Sequence, residues 1–252
     1  MIDVAVTRAE LRSARVAVVI DVLRATSTVT QALAAGYRRV LCADSLARAS
    51  SLRAPGRVLA GERRCLTPAG FDHGNSPIEA GRRRGEELVL ATTNGAPTIV
   101  AAARCAPTVL LACMLNLDAV IGALRIAGAD GDCDIQIVCS GTDGAAALED
   151  SYVAGRVSAA LTGVRTDAAL IAEAVARGYP TALGALAASA DARTLMAAGL
   201  QQDIAYCAQE SLLDLVPRVL AAADGVAVVA PDHARSEAIA EQDLRLAVPS
   251  TR

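Results

Sequence analysis

VAVVIDVLRATSTVTQALAAG, residues 16–36, decides the fold. It opens on the apolar run Val16-Ala17-Val18-Val19-Ile20. A run that short and that uniformly apolar marks a strand covered on both faces. A helical pattern follows and stops at Gly36, a residue type suited to the left-handed C′ position. Between strand and helix stand Asp21, Arg24, Thr26, Ser27 and Thr28. In an open parallel sheet, ligands bind beyond the carboxyl ends of strands, where loops meet helix N-termini. A carboxylate, a guanidinium and three hydroxyls gathered there suit an anion and its counter-cation. The same residues also fit a scaffold, with Asp21 as a strand-end cap, one hydroxyl as an N-cap and Arg24 as a surface charge.

Outward from this stretch the alternation repeats. Short apolar runs at 2–6, 39–42, 58–60, 88–91, 109–114, 135–139 and 226–230 read as strands. Helical patterns occupy 46–52, 99–103, 118–126 and 152–161, and 168–219 reads as mostly helical. Strands alternating with helices predict a three-layer α/β fold, a mostly parallel or mixed sheet with helices on both faces. No linker or composition break divides 1–252, so the chain reads as one α/β domain, with the Ala-rich segment 168–199 as an alternative helical appendage.

Composition narrows the function classes. Of 252 residues, 53% are hydrophobic, enough for a sizeable core. One Phe, four Tyr and no Trp leave few rings on which bases could stack, against single-stranded nucleic acid as a partner. A net charge of −3 offers no basic field for nucleic acid or an anionic membrane. There is no Lys, so every cationic side chain that is charged at all pH values is Arg. The first residues carry charges from Asp3 onward, unlike a signal peptide, and no apolar run reaches the length of a membrane span. Seven scattered cysteines form no CxxC pair, which fits free thiols in a reducing cytoplasm.

Other predicted strand exits also carry polar groups: Glu62 and Arg63; Thr92, Thr93, Asn94 and Gly95; Ser140 and Gly141. Glu149 and Asp150 open a helix, where their charge suits the macrodipole without any metal. The loop 67–77 is long for a compact domain and holds Phe71, Asp72, His73, Asn75 and Ser76. A loop His is more often solvated than catalytic. One decorated exit is ordinary, but four of them with the Glu149-Asp150 pair as a fifth group are hard to assign to scaffold alone, since buried polar groups cost free energy unless paired. Dispersed carboxylates with Arg and hydroxyls, and no positioned His, point to metal-assisted phosphoryl chemistry. GxGxxG, GxxxxGK[ST] and GxSxG are all absent from the strand ends. Cys42 and Arg48 satisfy C-x5-R, but the intervening ADSLA has no Gly to curl amides around a phosphate, and the match reads as coincidence.

VVIDVLRATSTVTQAL, GER, GFDHGNSP, TTNG, CSGTDG, LEDSYVAG and DIAYCAQ together resemble the 2-phosphosulfolactate phosphatase family. The resemblance spans nearly the whole chain. It departs at His73, where the family usually has Leu, and at Ala96-Pro97, where it usually continues Thr-Arg. What it implies is a Mg2+-dependent phosphatase of α/β fold that hydrolyses (2R)-2-phospho-3-sulfolactate to sulfolactate and phosphate, a step of coenzyme M biosynthesis. On that footing Asp21, Glu62, Glu149 and Asp150 are candidate Mg2+ ligands. Arg24 and Arg63 would clamp oxyanions. Thr26, Ser27, Thr92, Thr93 and Asn94 would donate hydrogen bonds, with Gly95 beside them, and Asn75 and Ser76 would close the site. Asp72 is a candidate general acid or a turn cap, and Asp21, Arg24, Glu149 and Asp150 complete the catalytic candidates. The expected partner is a small anionic phosphorylated substrate, and the Ala-rich helical surface is compatible with a homodimer. The alternatives are a phosphatase for another small phosphorylated acid and a non-catalytic sensor.

Overall fold

The computed structural model describes residues 1–127 and 134–232. Its strands are β1 (Ile2–Ala5), β2 (Val16–Ile20), β3 (Arg39–Ala43), β4 (Arg57–Gly61), β5 (Glu87–Ala91), β6 (Thr108–Ala112), β7 (Ile135–Cys139), β8 (Pro217–Ala223) and β9 (Val226–Pro231). Its helices are α1 (Ala25–Ala34), α2 (Leu46–Ser51), α3 (Pro77–Ala80), α4 (Gly95–Cys105), α5 (Leu117–Ala127), α6 (Leu148–Ala159), α7 (Asp167–Gly178), α8 (Ala182–Ala188), α9 (Ala190–Ala197) and α10 (Gln201–Cys207). The fold is three-layer α/β with a mixed sheet.

All nine strands form one sheet in the order β1-β7-β2-β6-β8-β9-β3-β5-β4. Two blocks are parallel within themselves, β1-β7-β2-β6 and β3-β5-β4. The hairpin β8–β9 stands between them, and its three pairings, β6–β8, β8–β9 and β9–β3, are all antiparallel. Three successive reversals make the two blocks run in opposite directions. A sheet that twists by about 20–25° per strand turns roughly 100–125° over the five steps from β2 to β5. Across that turn the loops leaving β2 and β5 meet: a methyl at Gly95 would strike the Asp21 carboxylate.

Alternation along β2 divides the core. Val16, Val18 and Ile20 join β7 and helices α5 to α10 on one face. Ala17 and Val19 join Val29 of α1 and Ile99 of α4 on the other. Leu41, Leu59 and Val89 pack a third cluster under α2 with Phe71 against it.

Two readings of the sequence change here. Residues 217–219, read as the end of the helical segment, instead open a strand that runs to Ala223. The signal is Asp224-Gly225, whose φ values of +48° and +75° make the tight left-handed turn that a two-residue hairpin needs. Pro217 tolerates the first position of a strand, where its missing N–H costs least. The Ala-rich helices α7 to α10 also share the core of β1, β2 and β7, through Ala169, Ala172, Ala185 and Leu186. Cys42 lies fully buried in β3, and burial pushes its thiol up to about 12, the opposite of what a nucleophile needs. Arg48 pairs with Asp44 instead.

Candidate active site

Asp21 leaves β2 and turns back over the start of α1. Its Oδ1 accepts the Ala25 N–H at 2.8 Å, and its backbone carbonyl accepts from the Thr26 hydroxyl and N–H, both at 2.9 Å. Ser27 donates to the Val22 carbonyl at 2.8 Å. Thr26 and Ser27 are therefore spent on shaping this loop, and neither lines the cleft that Asp21 faces. The Leu23–Arg24 peptide within it is cis.

That cleft, of about 400 Å³, is walled by the exits of β2, β4, β5 and β7 and by α9. Asp21, Arg24, Glu62, Asn75, Thr92, Thr93 and Asn94 line it. Glu62 braces two walls, accepting the Thr93 N–H at 2.7 Å and the Cys65 N–H at 3.1 Å. Arg24 is 3% exposed and donates to Asp203 of α10 at 2.5 Å. Ser76 donates to the other oxygen of Asp203 at 2.7 Å and caps α3, so it fixes the long loop rather than lining the cleft. Asn75 is 3% exposed, and its Oδ1 has no hydrogen-bond partner among the described residues. A cavity of similar size, about 430 Å³, lies between α5 and α6, but its Arg125 and Arg156 are engaged by Ala160 and Glu210, and it holds no acidic cluster.

Other candidates sit behind or beside the cleft. Asp150 is buried with its two oxygens taken by the Val22 and Gly141 N–H groups, at 2.9 and 3.2 Å, tying the β2 exit to the β7 exit. Glu149 is buried beside it, near enough to Asp191 of the cleft wall for the Asp191 carboxyl to raise its proton affinity. Gly95 packs under Asp21, where no side chain fits. Arg63 is exposed, with Nη1 3.5 Å from Thr93 Oγ1, and the cleft is lined by its neighbour Arg64. Asp72 is not brought to the cleft: it accepts the Leu59 N–H of β4 at 2.8 Å and ties its loop to the edge strand. His73 is buried rather than solvated, with Nδ1 2.8 Å from the Gly74 carbonyl.

The acids raise one another. Burial pushes the Asp21 carboxyl up to about 7; the Ala25 N–H opposes the shift, and Asp191 and Glu62 add to it. Burial and Asp191 push Glu149 up to about 8, and burial with Asp21 and Glu149 holds Asp150 well above the usual range. Such a cluster holds protons near neutrality or pairs with a cation. Asp191 lines the cleft and accepts from Thr142 at 2.6 Å. Sequence reasoning passed over it, because an acid in the first turn of a helix reads as a macrodipole charge. Asp203 was within reach, as the acid of the DIAYCAQ motif.

The donor set suits Mg2+. Carboxylates and the unpaired Asn75 oxygen are hard ligands. Among the described residues no three His, Cys, Asp or Glu side chains stand close enough to hold a metal alone. Mg2+ asks for less, one or two carboxylates with water and substrate phosphate.

The family described as 2-phosphosulpholactate phosphatase matches residues 4–221. A protein named "Probable 2-phosphosulfolactate phosphatase" from Thermus thermophilus is 40% identical over 208 residues, 80% of this chain and 86% of the relative. One of the same name from Pseudothermotoga lettingae is 38% identical over 219 residues, 86% and 95% of the two chains. Another, from Deinococcus radiodurans, is 40% identical over 214 residues, 81% and 88%. A match across most of the chain, over a cleft where buried acids meet a fixed arginine, leads to one assignment: the chain belongs to the 2-phosphosulfolactate phosphatase family.

Proposed function

We propose that this enzyme hydrolyses (2R)-2-phospho-3-sulfolactate to (2R)-3-sulfolactate and phosphate with Mg2+, the step that the family resemblance associates with coenzyme M biosynthesis. The observation that carries the reading is the buried acidic group around Asp21 lining one cleft together with Arg24. Bound Mg2+ would neutralise phosphoryl oxygens and supply Lewis-acid polarisation. Asp21 and Glu62 are its nearest candidates in the cleft wall, with Asp191 beside them, while Glu149 and Asp150 support from behind.

Arg24 receives the phosphoryl group. Its guanidinium is held in place before substrate arrives, because Asp203 occupies one nitrogen and is itself fixed by Ser76. Donors that are ordered in advance lose little freedom when charge develops on the phosphoryl oxygens. Thr93, Asn94 and Asn75 offer further polar contacts along the same wall.

The test is phosphate release from 2-phosphosulfolactate with Mg2+ and with a chelator, beside phospholactate and phosphoglycerate. Metal-dependent release that is fastest on the sulfonate is expected. Faster release from phospholactate or phosphoglycerate would discard the substrate and keep the phosphatase. Tight binding of any of them without release would identify a sensor.

A further inference from the structure

Two guanidinium groups line the cleft, those of Arg24 and Arg64, and they are held in opposite ways. Arg24 is buried and clamped by Asp203. Arg64 is exposed, and its side chain has no hydrogen-bond or ion-pair partner among the described residues. The backbone nevertheless goes out of its way to present it. Arg63 and Leu66 exchange both N–H···O bonds at 3.0 Å and close a two-residue turn with Arg64 and Cys65 at φ of +51° and +65°. Such positions favour Gly or Asn. The carboxylate of Glu62 holds the turn by accepting the Cys65 N–H. The opposite wall carries Asp143 and Asp191, which repel an anion.

We propose that Arg64 is a specificity-determining residue that takes the terminal sulfonate of the substrate while Arg24 takes the phosphoryl group. The inference rests on the function proposed above. That substrate carries its carboxylate, phosphate and sulfonate on three successive carbons, so the cleft must neutralise a sulfonate besides the phosphoryl and carboxylate groups. The preset inner guanidinium beside Asp21 serves the reacting group. The free outer one can close over three sulfonate oxygens with its fork of N–H donors. A phosphate ester with a methyl group in that place keeps its phosphate and carboxylate but gives Arg64 no sulfonate to bind.

The experiment compares kcat/KM for 2-phosphosulfolactate and 2-phospholactate, with Mg2+, in the wild type and in Arg64→Ala, Arg64→Asn and Arg64→Lys. Asn accepts the left-handed backbone, so Arg64→Asn separates loss of the guanidinium from loss of the turn. The ratio of the two kcat/KM values is expected to fall roughly 10- to 100-fold in Arg64→Ala and Arg64→Asn, through KM. Arg64→Lys falls between, keeping the charge without the fork. An unchanged ratio, or equal losses on both substrates, overturns the inference while leaving the phosphatase in place. A wild type that releases no phosphate from 2-phosphosulfolactate overturns the proposed function, and the inference with it.

Discussion

Arg24 and Asp203 show how closely structure and site are joined at single residues. Both are at most 4% exposed, and their contact is the only ionic one that either makes among the described residues. Removing one charge from a buried pair strands the other, at a cost of about 3–5 kcal/mol. Arg24→Ala is therefore expected to melt well below the wild type as well as to lose turnover, and adding Asp203→Asn should recover part of the loss in a thermal melt. A failure of the double variant to recover anything would mean that packing, not charge, sets the cost. Gly95 joins the two in the same way, since an added methyl would meet the Ala25 side chain as closely as the Asp21 carboxylate. A methyl there displaces the Asp21 carboxylate, and a shift of about 1 Å in a catalytic group lowers turnover on the order of 10²-fold. Steady-state kinetics of Gly95→Ala would check this. At this scale the sequence was legible where a side chain ends a strand, as at Asp21, Glu62 and Thr93. It was not legible where a helix distant in the chain delivers the partner, as Asp191 and Asp203 do.

Single elements are ranked by what they join. Glu87 opens β5 at the end of the strands away from the cleft and is paired by Arg38, Arg39 and Arg57. These guanidinium groups outweigh its burial and hold its carboxyl below the usual range. Glu87→Gln should destabilise the fold by a few kcal/mol, on the order of a broken buried pair, and leave KM unchanged, since nothing of it reaches the cleft. The hairpin β8–β9 matters differently. At Gly225, φ is +75° and an added methyl would meet Asp44. Gly225→Ala should cost about 1–3 kcal/mol in denaturant unfolding. This hairpin was the element least visible in sequence. VPRVLAAA is rich in Ala, which favours helix, and only Pro217 and the pair Asp224-Gly225 contradict it. By contrast, the β-branched run at 16–20 left no such ambiguity, and the helix after it ends at Ala34, with Gly36 at φ +94° as its C′ residue.

For the whole molecule, stability should have two pH limits with opposite signs. Glu87, Asp3, Asp134 and Glu173 have carboxyls held below their ordinary values, so the stability they contribute is lost as pH falls through those lowered values. Asp21 and Glu149 are raised, to about 7 and about 8. Their contribution is full below the ordinary carboxyl range near 4 and disappears as pH climbs through 7 and 8. Without divalent cation, the melting temperature should drop between pH 6 and pH 9. Added Mg2+ should raise it more at pH 8.5 than at pH 6, because the ion competes with protons for the same oxygens. Equal increments at both pH values would remove these acids from the metal site.

The antiparallel hairpin at the middle of the sheet also has a consequence in time. During synthesis β6 and β3 leave the ribosome long before residues 217–231, yet each must wait for that segment to fill the gap between them. Until it arrives, the growing chain carries two unsatisfied strand edges facing one another, the kind of surface that recruits wrong partners. The sheet is completed from its centre, by the last two of the described strands.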